Sequence, residues 1–451
     1  MHCPARCILD SIHRLLAQHA WGGLLSLSEP HGYKRLDDSG LRHWLAGHPA
    51  LVASLGGAAP DWLVREVGDG NLNLVFLVTG PDGGLCVKQS LPYVRVVGPS
   101  WPMPLERAFF EQLHYAACGR FVSGLAPRLL HYDPLLFAMV LELLPDHQIL
   151  RRVLMQGQRL PNAVQQVAEY VARSTFATSV LAQSFEQINP QLASFSRNEA
   201  LTRVTVDLIF THPYVNNERN RWTSPALDGI VQEIRDDSAV KCAIGRLGYR
   251  FLTVREALLH GDLHTGSVMA NATDTRVIDA EFALYGPVGF DLGLFTGNLL
   301  MAYLSQPGHE RVAGERHDYG EWILGEVDRF WREFVSQFAR LWSIKGSGDG
   351  YPSALYTTAA DAAALSTEQD RWFRRVFRDI LGFAGAEIVR RIVGFAHNAD
   401  FESIVDPELR GNLERRALNL ARSLLVAPER FTSTQALVSE ARREAQRSPL
   451  T

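Results

Sequence analysis

The sequence predicts an α+β fold in two lobes, a small antiparallel β-rich N-lobe followed by a larger, mainly helical C-lobe. Three observations carry that expectation. Between residues 61 and 144, short apolar runs alternate with turn signals such as "GDGNLN" and "PDGG", the spacing of strands and hairpins. Beyond about residue 147 the texture changes to long Arg- and Ala-rich segments of helical period. One island around 258–282 interrupts them with the strand-like runs "VREALLH", "SVMAN" and "RVIDAEF".

The elements follow in order. Residues 1–30 read as an N-terminal extension, in which Ile8, Ile12, Leu15 and Leu16 have helical spacing. Residues 33–57 read as a helix closed by glycines, with Asp37, Asp38 or Ser39 available as its N-cap. "DWLVREV", "LVFLVT" and "LCVKQS" then form three antiparallel strands. A Pro-rich segment, "GPSWPMP", precedes a helix over 105–118, and two further strands, "PRLLHYD" and "FAMVLELL", flank an Asp-Pro turn. This divides the chain into an extension (1–30), an N-lobe (31–146) and a C-lobe (147–451).

Composition narrows the function classes. A formal net charge of -4 gives no electrostatic case for nucleic acid or an anionic membrane as the main partner. Five scattered cysteines, Cys3, Cys7, Cys86, Cys118 and Cys242, form no CxxC pair, so neither a disulfide framework nor a zinc site is expected. No apolar run is long enough to span a bilayer and no secretory signal pattern opens the chain, so a cytoplasmic location is expected. Only four lysines occur, Lys34, Lys88, Lys241 and Lys345, which singles out any lysine in a suggestive place.

The strongest chemical signal is "HGDLH" at 260–264. Phosphoryl transfer to a hydroxyl needs a carboxylate that orients the alcohol and accepts its proton. Asp262, in a Gly-containing turn between strand-like runs, can supply it; a lone Asp there could equally close a β-turn. Downstream, "VIDAEF" is read as a strand ending in Asp279 and Glu281, two carboxylates on one side if strand geometry persists. Such a pair suits magnesium, which takes a few hard carboxylate oxygens plus phosphate oxygens and water. Kinase catalytic loops usually carry a metal-binding Asn five residues after the Asp, where this chain has Ser267. Glu281 is read as the ligand that replaces it.

Phosphates also need positive charge and backbone donors. "VGDGNLNLVF" offers Asn71 and Asn73 in a Gly-containing turn, although an ordinary hairpin has the same composition. Lys88 follows an apolar run on the neighbouring strand, where it would touch the α and β phosphates; alone it would read as an edge-strand lysine. Glu106 or Glu111 would orient it, and Glu111 is preferred because it lies in the body of the helix. The backbone around Glu142, Leu143 and Leu144 would pair with an adenine edge. Arg390 and Arg391 sit in an apolar helical run, so they need an anionic partner: a ligand, or an internal acid such as Glu387 or Asp400. Successive residues diverge by about 100° on a helix, so both reach one group only near a helix end or kink.

With these residues in place, the chain resembles the methylthioribose kinases, within the aminoglycoside-phosphotransferase and choline-kinase-like group. The likeness runs from about residue 33 to 425 through "VGDGNLNLVFLVTG", "VKQSLPYVRVVGPSWPM", "HGDLHTGSV", "DAEF", "GPVGFDLG", "RRIVGFAH", "DFESI" and "ERRALNLAR". Related small-molecule kinases resemble HGDLHxxN, whereas this branch reads HGDLHTGS, which accounts for Ser267. The resemblance implies a bilobal protein-kinase-like fold, a small-molecule substrate, and ATP with Mg2+ as cofactors. It implies phosphorylation of the anomeric hydroxyl of 5-methylthioribose in methionine salvage, by a homodimer. It assigns Asp262 to catalysis and substrate binding, and Asp279 and Glu281 to the metal. Asn71, Asn73, Lys88, Glu142–Leu144 and the 279–281 segment with Ala280 would contact ATP, and Arg390, Arg391 and Trp101 the substrate. Ala280 departs from the family's usual Pro and removes a φ restraint between the two metal acids. A kinase of choline or an aminoglycoside, and a nucleotide-binding pseudokinase module, are the competing readings.

Overall fold

A computed structural model of the chain describes residues 30–68, 72–95 and 97–447. The helix expected near Ile8–Leu16 and the nucleotide contact expected at Asn71 lie outside those residues.

The first expected helix is two, Asp38–Ala46 and Pro49–Leu55. Asp37 caps the first by accepting from the Gly40 N–H. Pro49 cannot continue a helix, and the residue before it, His48, is forced into an extended conformation (φ -119°, ψ 93°).

Five strands follow: β1 (Leu63–Glu66), β2 (Asn73–Thr79), β3 (Gly84–Ser90), β4 (Leu129–Asp133) and β5 (Ala138–Glu142). They form one antiparallel sheet in the order β1-β2-β3-β5-β4. Leu74, Phe76, Val78, Leu85, Val87 and Val140 alternate onto one buried face, against Leu41, Leu45, Leu55 and Trp62. Lys88 pairs with Val75 of β2 and Met139 of β5. It therefore stands on a central strand, which overturns the edge-strand alternative. Alternation turns it to the opposite face, where the Arg107–Cys118 helix packs.

The C-lobe is built on helices. Gly289–Leu304, His317–Lys345, Ala359–Val393 and Pro407–Val426 enclose a core that includes Phe290, Phe295, Phe330, Phe334, Phe338 and Phe383. Gly289, Gly293 and Gly297 recur every fourth residue on the first of these helices. A Cβ at Gly289 or Gly293 would come within 2.6 Å of Asp379 or Phe383 on the Ala359–Val393 helix. This close approach carries the C-terminal turn of that helix up to the catalytic loop. The island between the helices contains β6 (Gln148–Ile149), β7 (Ala257–Leu259), β8 (Val268–Ala270), β9 (Thr275–Val277) and β10 (Leu284–Gly286). They pair as β7 with β10 and as a β6-β8-β9 sheet. Among the described residues no helix is long and apolar enough to cross a membrane.

Candidate active site

The catalytic loop leaves β7 through His260 and Gly261, whose backbone N–H groups donate to the Asp291 carboxylate at 2.7 and 3.0 Å. Gly261 has φ +84°, and a Cβ there would meet the Phe282 carbonyl at 2.1 Å. Only glycine allows that turn. Asp291 stands in the first turn of the Gly289–Leu304 helix and is fully buried. Sequence reasoning passed over it, although an acid opening an otherwise apolar helix was the available signal.

The loop presents Asp262 to a converging set of donors. Its Oδ1 is 3.0 Å from Arg390 and 3.7 Å from Arg391, and its Oδ2 is 3.4 Å from His264 Nε2. Burial alone would raise the Asp262 pKa, but Arg390, His264 and Arg391 outweigh it and hold the carboxyl well below its usual range. His264 is pushed down to about 4, mainly by burial, so its imidazole is neutral at pH 7. Its Nδ1 accepts from the Gly266 N–H at 2.9 Å, which leaves the proton on Nε2, facing Asp262.

Both arginines lie in the last turn of the Ala359–Val393 helix, which is how consecutive residues reach one carboxylate. Glu387, one turn earlier and fully buried, accepts from Arg391 Nε at 2.6 Å and Arg390 at 3.1 Å. Asn298 donates to the same carboxylate at 3.1 Å and accepts from Arg151 at 2.8 Å. Arg151 in turn pairs with buried Asp400 at 3.0 Å. The internal-acid alternative and the proximity to Asp262 thus hold together: Glu387 balances charge while Arg390 and Arg391 face the catalytic loop.

Ser267 does not point at the cleft. Its Oγ accepts from the His264 N–H at 2.9 Å and lies 3.1 Å from the Asp262 carbonyl, and its own carbonyl accepts from Ile278. It braces the loop and links it to the acidic segment.

That segment corrects one expectation. The strand ends at Val277; Asp279 has φ 67°, a left-handed conformation, and Ala280–Phe282 is a 3-10 turn. Strand alternation therefore does not align the two acids. Asp279 is half exposed, with Oδ1 held by Lys88 at 2.7 Å. Glu281 is buried, its oxygens 3.2 and 3.3 Å from the Asn73 amide and 3.3 Å from Arg107 Nε. Asn198 fixes the turn's backbone by donating to the Glu281 and Ala283 carbonyls.

Lys88 bridges the lobes, 2.7 Å from both Glu111 and Asp279. Glu111, rather than Glu106, is its helix partner; Glu106 stands just before the helix, at the N-cap position. Burial alone would lower the Lys88 pKa, but Asp279 and Glu111 hold its ammonium well above the ordinary value. Burial pushes Glu111 up to about 7 against the opposing pull of Lys88. Asp279 is held below its ordinary range, its desolvation outweighed by Lys88.

The remaining expected contacts lie around this centre. The Asn73 side chain is buried, occupied by Glu281 on one side and Arg107 on the other. Glu142 ends β5, its N–H already donated to the Arg128 carbonyl, and Leu143 and Leu144 continue into the inter-lobe connection. Trp101 packs edge-on against Phe395, with ring centroids 5.1 Å apart, and Arg219 lies over its ring at 4.3 Å. Phe395 follows the helix that carries the arginine pair, so Trp101 reaches from the N-lobe to the end of that helix.

The model of the phosphotransferase enzyme family matches residues 63–334, more than half of the chain. A methylthioribose kinase of Escherichia coli is 40% identical over 416 residues, covering 92% of this chain and 99% of the relative. Methylthioribose kinase 2 of Oryza sativa subsp. japonica is 40% identical over 90% of this chain and 95% of its own length. Among solved structures, a glucosamine kinase in complex with glucosamine, ADP and inorganic phosphate aligns with a TM-score of 0.47 at 14% identity, covering 91% of this chain and 95% of the other. The chain therefore belongs to the phosphotransferase enzyme family and, within it, to the methylthioribose kinases.

Proposed function

We infer that this chain phosphorylates the anomeric hydroxyl of 5-methylthioribose with ATP and magnesium, giving 5-methylthioribose 1-phosphate and ADP for methionine salvage. The observation that carries the reading is a pair of carboxylates, each held in its charged form by cations from another element. Asp262 is held by Arg390, Arg391 and His264, and Asp279 by the inter-lobe lysine Lys88.

In the reaction, the sugar hydroxyl oxygen bonds to the γ-phosphorus, the bond to the ADP oxygen breaks, and the hydroxyl proton passes to Asp262. An Asp with so low a pKa is a weak base, which suits a loose transition state in which the proton leaves late. The arginine pair supplies the matching change. As the bond to the ADP oxygen breaks, Arg390 and Arg391 turn from Asp262 to the equatorial oxygens of the transferred group, and Asp262 becomes more basic as they leave. Lys88 holds the α and β phosphates, oriented by Glu111.

The donor set fits magnesium. Asp279 is half exposed with one oxygen held by Lys88, Glu281 is a second hard carboxylate held by Arg107 and Asn73, and magnesium needs few protein ligands beside phosphate and water. When bound, the ion neutralises charge on the phosphates. Residues 31–146 supply the nucleotide side, with Asn71 and the Glu142–Leu144 connection at its edges and Ala280 facing it from the C-lobe; the Asn73 side chain is instead committed to Glu281 and Arg107. Residues 147–451 supply the catalytic, metal and substrate groups, with Trp101 closing the sugar end from the N-lobe. We assign no role to residues 1–30, and take the enzyme to be a cytoplasmic homodimer. The test is ADP release by purified protein offered methylthioribose, choline or an aminoglycoside in turn. Turnover confined to methylthioribose is expected; turnover on choline alone, or ATP binding without turnover, overturns the reading.

A further inference from the structure

Arg107 is the first residue of the Arg107–Cys118 helix, and its side chain is fully buried. All five of its N–H donors have acceptors. One terminal nitrogen reaches the Leu91 and Pro104 carbonyls at 2.6 and 2.9 Å. The other reaches the Leu72 carbonyl at 2.8 Å and Asn73 Oδ1 at 2.9 Å. Nε lies 3.2 Å from Asn73 Oδ1 and 3.3 Å from Glu281 Oε2. These acceptors have a pattern. Leu72 and Asn73 lie at the start of β2, and Leu91 and Pro104 bracket the loop that carries Trp101. Glu281 alone comes from the C-lobe.

A guanidinium this deep could be satisfied by backbone carbonyls within one lobe. Instead its fork is shared with Asn73, whose amide donates to both oxygens of Glu281. We propose that Arg107, with Asn73, is a positioning device for Glu281: it fixes the carboxylate's orientation, and it joins the start of β2 and the Trp101 loop to the acidic segment of the C-lobe. This rests on the reading above, in which Glu281 holds magnesium. Each of the two acids then has its own cation, Lys88 for Asp279 and Arg107 for Glu281. The two cations differ in kind. Lysine is a mobile point charge, whereas the fully bonded guanidinium is fixed, so Glu281 presents the same face on every cycle.

The experiment compares wild type, Arg107→Lys, Asn73→Ala and Glu281→Gln. Calorimetric ATP binding is measured without metal and across a magnesium titration, beside initial rates and thermal unfolding. Arg107→Lys keeps the charge but loses the fork. It should bind metal-free ATP as wild type does, while needing about 10- to 100-fold more magnesium for half-maximal enhancement of ATP binding and of rate. Asn73→Ala keeps every backbone contact of Arg107 and should move in the same direction. It serves as the readout if Arg107→Lys does not fold. Wild-type magnesium dependence in a folded Arg107→Lys or in Asn73→Ala, with Glu281→Gln impaired, overturns the positioning role and leaves the metal assignment standing. A merely structural arginine would give that result together with a lower melting temperature. Wild-type magnesium dependence in Glu281→Gln overturns the metal assignment, and the proposal with it.

Discussion

Replacing Glu387 by Gln removes one charge and almost no volume from the centre of the arginine cluster. Glu387 is fully buried and accepts from Arg391 at 2.6 Å, Arg390 at 3.1 Å and Asn298 at 3.1 Å. Burial alone would raise its pKa, but Arg391 and Arg390 keep it below the ordinary value, so the charge is present at pH 7. Removing one partner of a buried ion pair costs about 3–5 kcal/mol. Gln still accepts one hydrogen bond, worth about 1 kcal/mol, so a net loss of about 2–4 kcal/mol is expected. The catalytic consequence is separate. Without Glu387, both guanidinium groups have Asp262 as their nearest acid, and releasing them to the phosphoryl group becomes harder. A tenfold fall in kcat corresponds to about 1.4 kcal/mol, and the expected fall is at least that, with ATP binding unchanged. Urea unfolding and steady-state ADP release measure the two effects. A variant within about 0.5 kcal/mol of wild type, with unchanged kcat, would refute the charge-balance argument.

Two further outcomes are expected. Trp101→Ala loses an aromatic pair with Phe395, worth about 0.5–1.5 kcal/mol, and a cation–π contact with Arg219, worth about 0.5–1 kcal/mol. KM for the sugar should rise about tenfold while KM for ATP stays put, and an equal rise in both would contradict a role at the substrate end. Asp379, buried beside Arg250, is lifted by desolvation to about 6, so the folded state holds a proton that the unfolded chain has already lost. Its contribution to stability is complete below about pH 4 and disappears as pH rises through 6, a span of at most about 3 kcal/mol. Asp379→Asn should flatten that part of the stability–pH curve, measured by urea unfolding from pH 4 to 7; an unchanged slope would refute it.

Local signals were readable in the sequence. "PDGG" and alternating apolar runs marked β2 and β3, and "HGDLH" marked the loop. Lys88 could be placed because lysine is scarce and follows a strand pattern, and Glu111 because it lies one helix downstream. The geometry between Asp279 and Glu281 was not readable, because a single left-handed residue breaks the alternation that a strand would impose. The two-helix start was readable in principle from Pro49. Arg107 and Asp291 were missed as site residues for a common reason. Their partners lie 174 and 30 residues away on elements whose approach is set by packing, and one charged side chain carries no local sign of what it meets. Glu387, one helical turn from both arginines, was legible as their internal acid. Ser267 shows the same limit: its count from Asp262 suggested a lost metal ligand, whereas its hydrogen bonds make it a brace.

We propose that Asp262 directs phosphoryl transfer to the anomeric hydroxyl. Phosphorus NMR of the reaction of methylthioribose with ATP, run with wild type and with Asp262→Asn, is the decisive measurement. A sugar 1-phosphate and stoichiometric ADP are expected from wild type, and a rate lower by about 10²–10⁴-fold in the variant, with ATP binding intact. Phosphate on another hydroxyl, or a variant within tenfold of wild type, would contradict it.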